Sequence, residues 1–442
     1  MSSSRSGLQF LIVIHFGAMN EPSGNRPIKA SREIEGARAP VNLERRIRQH
    51  VIGPVHGWFA ACTPGLEPVL LAQARTIGLA DAAAIQGGVT FVGRLGDGHR
   101  ANLHLRVANR VWMRIGAFSA RAPEDVYREA HGLPWEALLP AGIPVRVQAT
   151  TANSRLFGSG MLGRPLLDAI VRRLRSLGLS VPPLDSDERI VDEDADEIEE
   201  GLTRQILLAR LDSNRLELSL DSSGQLLHRR GFRISHGGAP LRETLAAGIL
   251  MAAGYDGSST LVDAMCGSGT FAVEAASIAR GLPPGRARGF MFQRWPSYRE
   301  PAFNHLRRQT EGEVRARAGH PILSRDNGTP VLDIARRHAK AAGVFGDITF
   351  ENNDFFQAPA PVGPAGLVVL NPPYGLRLST GSDDPVAFYR QVGTRLLEVW
   401  KGWKCAVVAP SPATANALGL RENGRLQIAN GGLRVIVVLA RC

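Results

Sequence analysis

Short runs of consecutive apolar residues punctuate the second half of the chain, each ended by an acid, an asparagine or a glycine turn. Leu367 to Leu370 reads as a strand buried on both faces, and Asn371-Pro372-Pro373 stops it, because proline removes a ladder donor and fixes φ. Leu261-Val262 ends in Asp263, Ile322 to Ser324 ends near Asp326-Asn327, and Ile348 to Glu351 is closed by Asn353-Asp354. Helical patterns from Thr270 and over Val331 to Ala342 alternate with these strands. Strand-helix alternation of this kind predicts an α/β unit with a parallel sheet.

The first half is patterned differently. Trp58 to Ala61 reads as a strand, Thr63 as an N-cap with Pro64 in the first turn, and Leu66, Val69, Leu70, Ala74 and Ile77 as a helix stripe. Gln86-Gly87-Gly88 turns into a strand at Val89 to Val92. Leu103 to Ile115 reads as a helix whose Arg106, Arg110 and Arg114, four apart, form one face that either meets phosphate or is solvated. Pro123 to Gly132, Trp135 to Leu138 and Gly163 to Leu177 read as helices, the last carrying Arg164, Arg172, Arg173 and Arg175. Ile143 to Ala149 reads as a strand. Gln205 to Leu211 and Leu216 to Asp221 form a hairpin about Asp212-Ser213-Asn214. This half is α+β, mostly antiparallel, and holds no acid, base or nucleophile pair, so binding is its expected work.

Length and charge sharpen the picture. A chain of 442 residues with 44% apolar content supports two or three cored domains. Its formal charge is +11, yet Asp185 to Glu200 holds ten acids against Arg189, so the remainder carries +20. That balance, mostly arginine, favours a polyanion such as nucleic acid, or else reflects arginine used on solvated faces. The acidic run itself is read as a solvated loop that can shield the basic surface. Cys62, Cys266, Cys405 and Cys442 are scattered, without zinc or disulfide spacing, so no metal and a reducing cytoplasm are expected. Leu8 to Ala18 is too short to span a bilayer, no membrane is implied, and residues 1–56 are expected to form a disordered extension.

The candidate chemistry collects at the strand ends. In an open α/β sheet, ligands bind at that edge. Gly267 and Gly269 make a tight turn into the helix starting at Thr270, and no GxGxxG or P-loop lysine is present. Asp326, beside Asn327, can accept from both hydroxyls of a ribose, and Asn353-Asp354 and Phe355 can bind and cover an adenine. Asn371 Oδ1 and the Pro372 carbonyl can accept both protons of an exocyclic amine while Tyr374 stacks on its ring. Each of these residues taken alone is also an ordinary cap, turn or core residue. Their order along one edge is what points to a site.

In that order, VDAMCGSGTF, Asp326, Asn353-Asp354 and LNPPYG resemble class I S-adenosylmethionine-dependent methyltransferases acting on exocyclic amines. With WFAACTPGLEPVL, QGGVTFVG, HRRGFR and GAPLRETLAA, the chain from Gly57 onward is similar to the bacterial THUMP-domain 23S ribosomal RNA guanine-N2-methyltransferases. The resemblance implies a ferredoxin-like piece at 57–119, a THUMP RNA-binding domain at 120–231 and, at 232–442, a seven-stranded Rossmann-like sheet ending in a hairpin at Leu426 to Ala440. It also implies S-adenosylmethionine held by Asp263, Gly267, Gly269, Asp326 and Asp354, with Pro240, Glu243 and Thr244 nearby. Asn371, Pro372 and Tyr374 would hold the guanine amine. A tRNA guanine, adenine N6, or a noncatalytic RNA-binding role with a vestigial cofactor site stay open as alternatives. The longer fusions in this family carry a second methyltransferase unit, so a single activity is implied for this sequence.

Overall fold

Two seven-stranded sheets make up the computed structural model, which describes residues 42–156, 160–184, 204–233, 241–372, 384–430 and 433–442. The first sheet is built from β1 (His56–Cys62), β2 (Ala80–Ile85), β3 (Gly88–Gly93), β4 (Ala108–Ser119), β5 (Val145–Ala152), β6 (Gln205–Asp212) and β7 (Arg215–Asp221), in the order β2-β3-β1-β4-β7-β6-β5. Only β5 and β6 pair in parallel. Ser213 and Asn214, at φ 52° and 62°, form the two-residue turn between β6 and β7, where left-handed backbone matches the strand twist. Against this sheet lie α1 (Leu43–Ile47), α2 (Glu67–Thr76), α3 (Leu95–His104), α4 (Pro123–Gly132), α5 (Trp135–Leu138) and α6 (Gly160–Ser176).

The expected boundary at 119/120 falls within this sheet, because β4 pairs with β1 on one side and β7 on the other. Three expectations are corrected. The stretch 103–115 is mostly strand: Val111, Trp112 and Met113 are buried in succession, which erases the alternation that marks a half-buried strand. The arginine face therefore does not exist, since Arg106 and Arg110 are ion-paired inside with Glu274 and Asp221, and Arg114 with Glu217. Thr63-Pro64 form a turn instead of a helix start, and α2 opens at Glu67, whose carboxylate accepts from the Gly65 and Gly87 amides. Finally, ordered chain begins before Gly57: Ile47 and Val51 are buried, and Arg46 and Glu44 pair with Glu136 and Arg299. The acidic run at 185–200 lies outside the described residues.

The second sheet comprises β8 (Leu261–Asp263), β9 (Ile322–Asp326), β10 (Thr349–Asn352), β11 (Leu367–Leu370), β12 (Lys404–Ala409), β13 (Glu422–Asn430) and β14 (Leu433–Arg441). Their order is β10-β9-β8-β11-β12-β14-β13, parallel except for β14, which is antiparallel to both its neighbours. The chain runs outward from β8 to β10 and returns to β11 on the other side of β8. Order therefore reverses between β8 and β11, the switch point where such sheets bind ligands. Helices α7 (Glu243–Ala252), α8 (Thr270–Arg280), α9 (Glu300–Gly312), α10 (Thr329–Ala341), α11 (Pro385–Val399) and α12 (Pro412–Ala417) accompany the strands.

The two sheets share one core. Leu66, just before α2, and Leu70 of α2 belong to the same buried cluster as Leu245 and Ile249 of α7, and a Cβ added at Gly248 would come within 2.7 Å of Leu66 Cδ1. Polar pairs cross the same boundary, among them Trp295 Nε1–H donating to Gln205 Oε1 at 2.7 Å and Thr244 Oγ1 to Asn109 Oδ1 at 3.0 Å.

Candidate functional site

Strand register brings the predicted residues to one edge. Asp263 pairs with Val369 across β8 and β11, which sets Asn371 two residues beyond, and Asn352 pairs with Asp326 across β10 and β9. The sequence therefore assembles four adjacent parallel strands whose carboxyl ends carry Asp263, Asp326, Asn353-Asp354 and Asn371.

The glycine turn is fixed by hydrogen bonds to these acids. Gly267 N–H donates to Asp326 Oδ2 at 2.9 Å, Gly328 N–H to Asp326 Oδ1 at 3.0 Å, and Ala272 N–H to Asp263 Oδ2 at 3.3 Å. Gly267 and Gly269 sit at φ 52° and 80°, a region costly for residues with a Cβ. A Cβ on Gly269 would also lie 2.8 Å from Ala335 Cβ, so α10 packs directly behind the turn, whereas the space over Gly267 is open. Thr270 starts α8 and is buried.

Asp263 is fully buried, and its Oδ1 has no hydrogen-bond partner. Burial first, and the neighbouring Asp326 second, push its carboxyl up to about 8 against the opposing bond from Ala272. An orphaned buried carboxylate oxygen beside an open glycine turn fits a cationic nucleoside ligand, because a positive charge there would restore its ionised form. Each Asp326 oxygen holds one backbone amide and keeps a lone pair for a ribose hydroxyl. Asn327 is exposed beside it. Asn353 Nδ2 donates to Glu351 Oε2 at 3.0 Å, and Asp354 Oδ1 accepts from Phe356 N–H at 2.7 Å, capping the following turn. Phe355 is buried in the apolar cluster with Val262, Leu323 and Leu370.

Other predicted residues are bonded to neighbouring elements or lie outside the described residues. Glu243 and Thr244 are buried at the start of α7, where Glu243 accepts from Arg233 Nε at 3.0 Å and Thr244 bonds Asn109. Their bonds hold α7 in place. Pro240 and Tyr374 lie outside the described residues; Asn371 is half-buried and Pro372 buried. One residue that sequence reading passed over is His338 of α10, buried, with Nδ1 3.1 Å from the Ser268 carbonyl in the glycine turn. Its place three residues after Ala335, on the helix face that meets the turn, is the signal that marks it. Among the described residues no group of three His, Cys, Asp or Glu can hold a metal ion, and no helix is long and apolar enough to cross a membrane.

A glycine turn held by strand-end acids at the switch point of a seven-stranded sheet closed by an antiparallel hairpin defines the Rossmann-like methyltransferase class. Comparison with known proteins agrees: residues 230–436 match the model of the RMKL-like methyltransferase domain and residues 58–112 that of the RlmL ferredoxin-like domain. The Synechocystis protein named "Putative RNA methyltransferase slr0064" is 30% identical over 378 residues, covering 85% of this chain and 94% of that protein. The chain therefore belongs to the RMKL-like methyltransferase family. Ribosomal RNA large subunit methyltransferase K/L of Cellvibrio japonicus is 33% identical over 389 residues, covering 85% of this chain and 50% of the relative. This chain thus spans about half the length of the K/L relatives it matches. The crystal structure of SMU.472 complexed with SAH superposes with a TM-score of 0.75 at 25% identity, covering 88% of this chain and 98% of that one.

Proposed function

We propose that this protein methylates the exocyclic N2 of a guanine in 23S ribosomal RNA. The observation that carries the reading is the register that pairs Asp263 with Val369 across the switch point, so that Asn371 follows two residues on at the same edge. The cofactor is S-adenosylmethionine, which supplies a methyl carbon already activated as a sulfonium. Asp263, Gly267, Gly269, Thr270, Asp326, Asn327, Asn353 and Asp354 would hold it, and the resemblance adds Pro240, Glu243 and Thr244.

Because the methyl group arrives activated, the chain mainly has to align and desolvate the amine. Asn371 Oδ1 and the Pro372 carbonyl would accept hydrogen bonds from its two N–H groups, drawing the nitrogen away from planarity and freeing its lone pair for attack. Tyr374 stacks on the base and offsets part of the cost of removing it from its helix. No strong base is needed beforehand, since the methylated nitrogen becomes acidic and loses its proton afterwards. The N-terminal sheet, with a THUMP-like unit over 120–231, binds the RNA. Exposed Arg164, Arg172 and Arg175 on α6 support that role.

The test incubates the purified chain with methyl-labelled cofactor and either 23S ribosomal RNA or tRNA, followed by nucleoside analysis. N2-methylguanosine in the ribosomal RNA is expected. Label confined to tRNA, label at adenine N6, or no transfer at all would each replace this reading.

A further inference from the structure

A second cationic feature lies along the flank of α8 and α10, around residues the reaction does not use. A cavity of about 280 Å3 there is lined by Arg106, Arg230, Arg286, Lys340 and a single acid, Glu274. Arg106 and Arg230 are buried. Glu274 accepts from Arg230 Nε at 3.3 Å and lies 3.6 Å from Arg106 Nη1. Carbonyls at helix ends take up part of the excess charge, Arg106 donating to Ser277 and Leu282 and Arg286 to Ala342. Arg106 Nη1 is buried without a hydrogen-bond acceptor and faces Glu274 Oε2, likewise unbonded, across the ion pair, and the exposed Lys340 ammonium stands at the rim. Two buried guanidiniums against one carboxylate leave positive charge in a low-dielectric setting, which a bound anion would offset.

Lys340 also joins this cavity to an aromatic platform. Its Nζ stands 4.9 Å from the Phe345 ring centroid, and Phe345 stacks on Phe350 with centroids 5.9 Å apart. Phe345 is 41% exposed, the one aromatic among the exposed large apolar side chains of the described residues. Exposed Arg317 lies beside Gly346, the next residue, and Arg336 lies over Phe350; Asp333 pairs with Arg336, and Asp347 with Arg280 and Arg317. No acid among the described residues lies within ion-pair distance of Lys340 or Arg337.

We propose that this flank is a second RNA contact, where one backbone phosphate enters the cavity between Arg106 and Lys340 and an adjoining base stacks on Phe345. It rests on the RNA reading above. A single strand supplies both halves, an anion and a flat ring a few bonds apart, and stacking beside cations is how such strands are held without sequence readout.

The test titrates the full chain, Lys340→Glu and Phe345→Ala with a short single-stranded oligoribonucleotide and with 23S ribosomal RNA, and uses inorganic phosphate as competitor. Both side chains are exposed, so folding is preserved. Lys340→Glu is expected to weaken RNA binding about tenfold and to lower the salt slope by about one to two. Phe345→Ala is expected to weaken it about five- to tenfold with the slope unchanged. Cofactor affinity stays constant throughout. Unchanged RNA affinity in both variants overturns the proposal, as does phosphate that occupies the cavity without competing with RNA. Methyl incorporation by the wild-type chain is read separately and decides the underlying function.

Discussion

Asp263 shows how one buried group can report on the whole site. Its carboxyl is held near 8 mainly by burial, so below that pH the folded chain keeps a proton that the unfolded chain releases above about 3.8. Unfolding then releases a proton, and linkage makes the apo-protein lose stability as pH rises from about 4 to about 8. Asp263→Asn removes that slope. Thermal melts at pH 5 and pH 7.5 should show the advantage of the variant over wild type growing by several degrees at the higher pH, and parallel melts would contradict the raised pKa. Cofactor binding should show the converse, tightening toward pH 8 with uptake of a cation beside the ionised carboxylate. The amine-binding and cofactor roles separate in the same way. Asn371→Ala should abolish methyl transfer while RNA affinity is retained, and Asp326→Ala should weaken cofactor binding about tenfold or more by removing the acceptor for two backbone amides and, in the proposed binding mode, for a ribose hydroxyl. Equilibrium titration of cofactor and RNA with each variant reads both outcomes.

At the scale of elements, the glycine turn depends on what α10 presents behind it. Gly269→Ala combines a φ of 80° with a 2.8 Å approach to Ala335. It should destabilise the chain by about 1–3 kcal/mol in denaturant unfolding and loosen cofactor binding. The same scale explains what could be read in advance. The hairpin β13–β14 followed from the family resemblance and not from its own pattern, whereas the strands β8, β9, β10 and β11 were legible because each is a short apolar run closed by a polar residue. β2 was not, since Ala80 to Ile85 is an exposed, alanine-rich edge strand without contrast between its faces. β4 was misread because arginines four apart imitate a helix period, and only tertiary pairing with Glu274 and Asp221 reveals them as interior charges. Within the site, strand-end acids and asparagine announced themselves, whereas His338 acts through a backbone carbonyl and leaves no motif. The first turns of ordered chain were hidden in a Pro/Gly/Arg-rich background. Deleting residues 1–50 removes Ile47 and the Arg46–Glu136 pair, so this truncation should lower the melting temperature by several degrees, with a cut before Asn42 as control.

For the molecule as a whole, the seam between the two sheets is both apolar and hydrogen-bonded. Gln205 is fully buried and serves Trp295 from one sheet to the other. Gln205→Leu leaves that indole N–H unpaired and should cost about 1–3 kcal/mol. Because the core is continuous, wild type and variant should each unfold in one transition by fluorescence and by circular dichroism; two separated transitions would show the halves to be independent.

A seam of this kind leaves little freedom of hinge motion between the N-terminal sheet and the edge where Asn371 stands. On the proposed RNA reading the molecule would work as a calliper of fixed span: it would choose its nucleotide by how far that nucleotide lies from an anchored fold of RNA, and a neighbour one step along the strand would be out of reach.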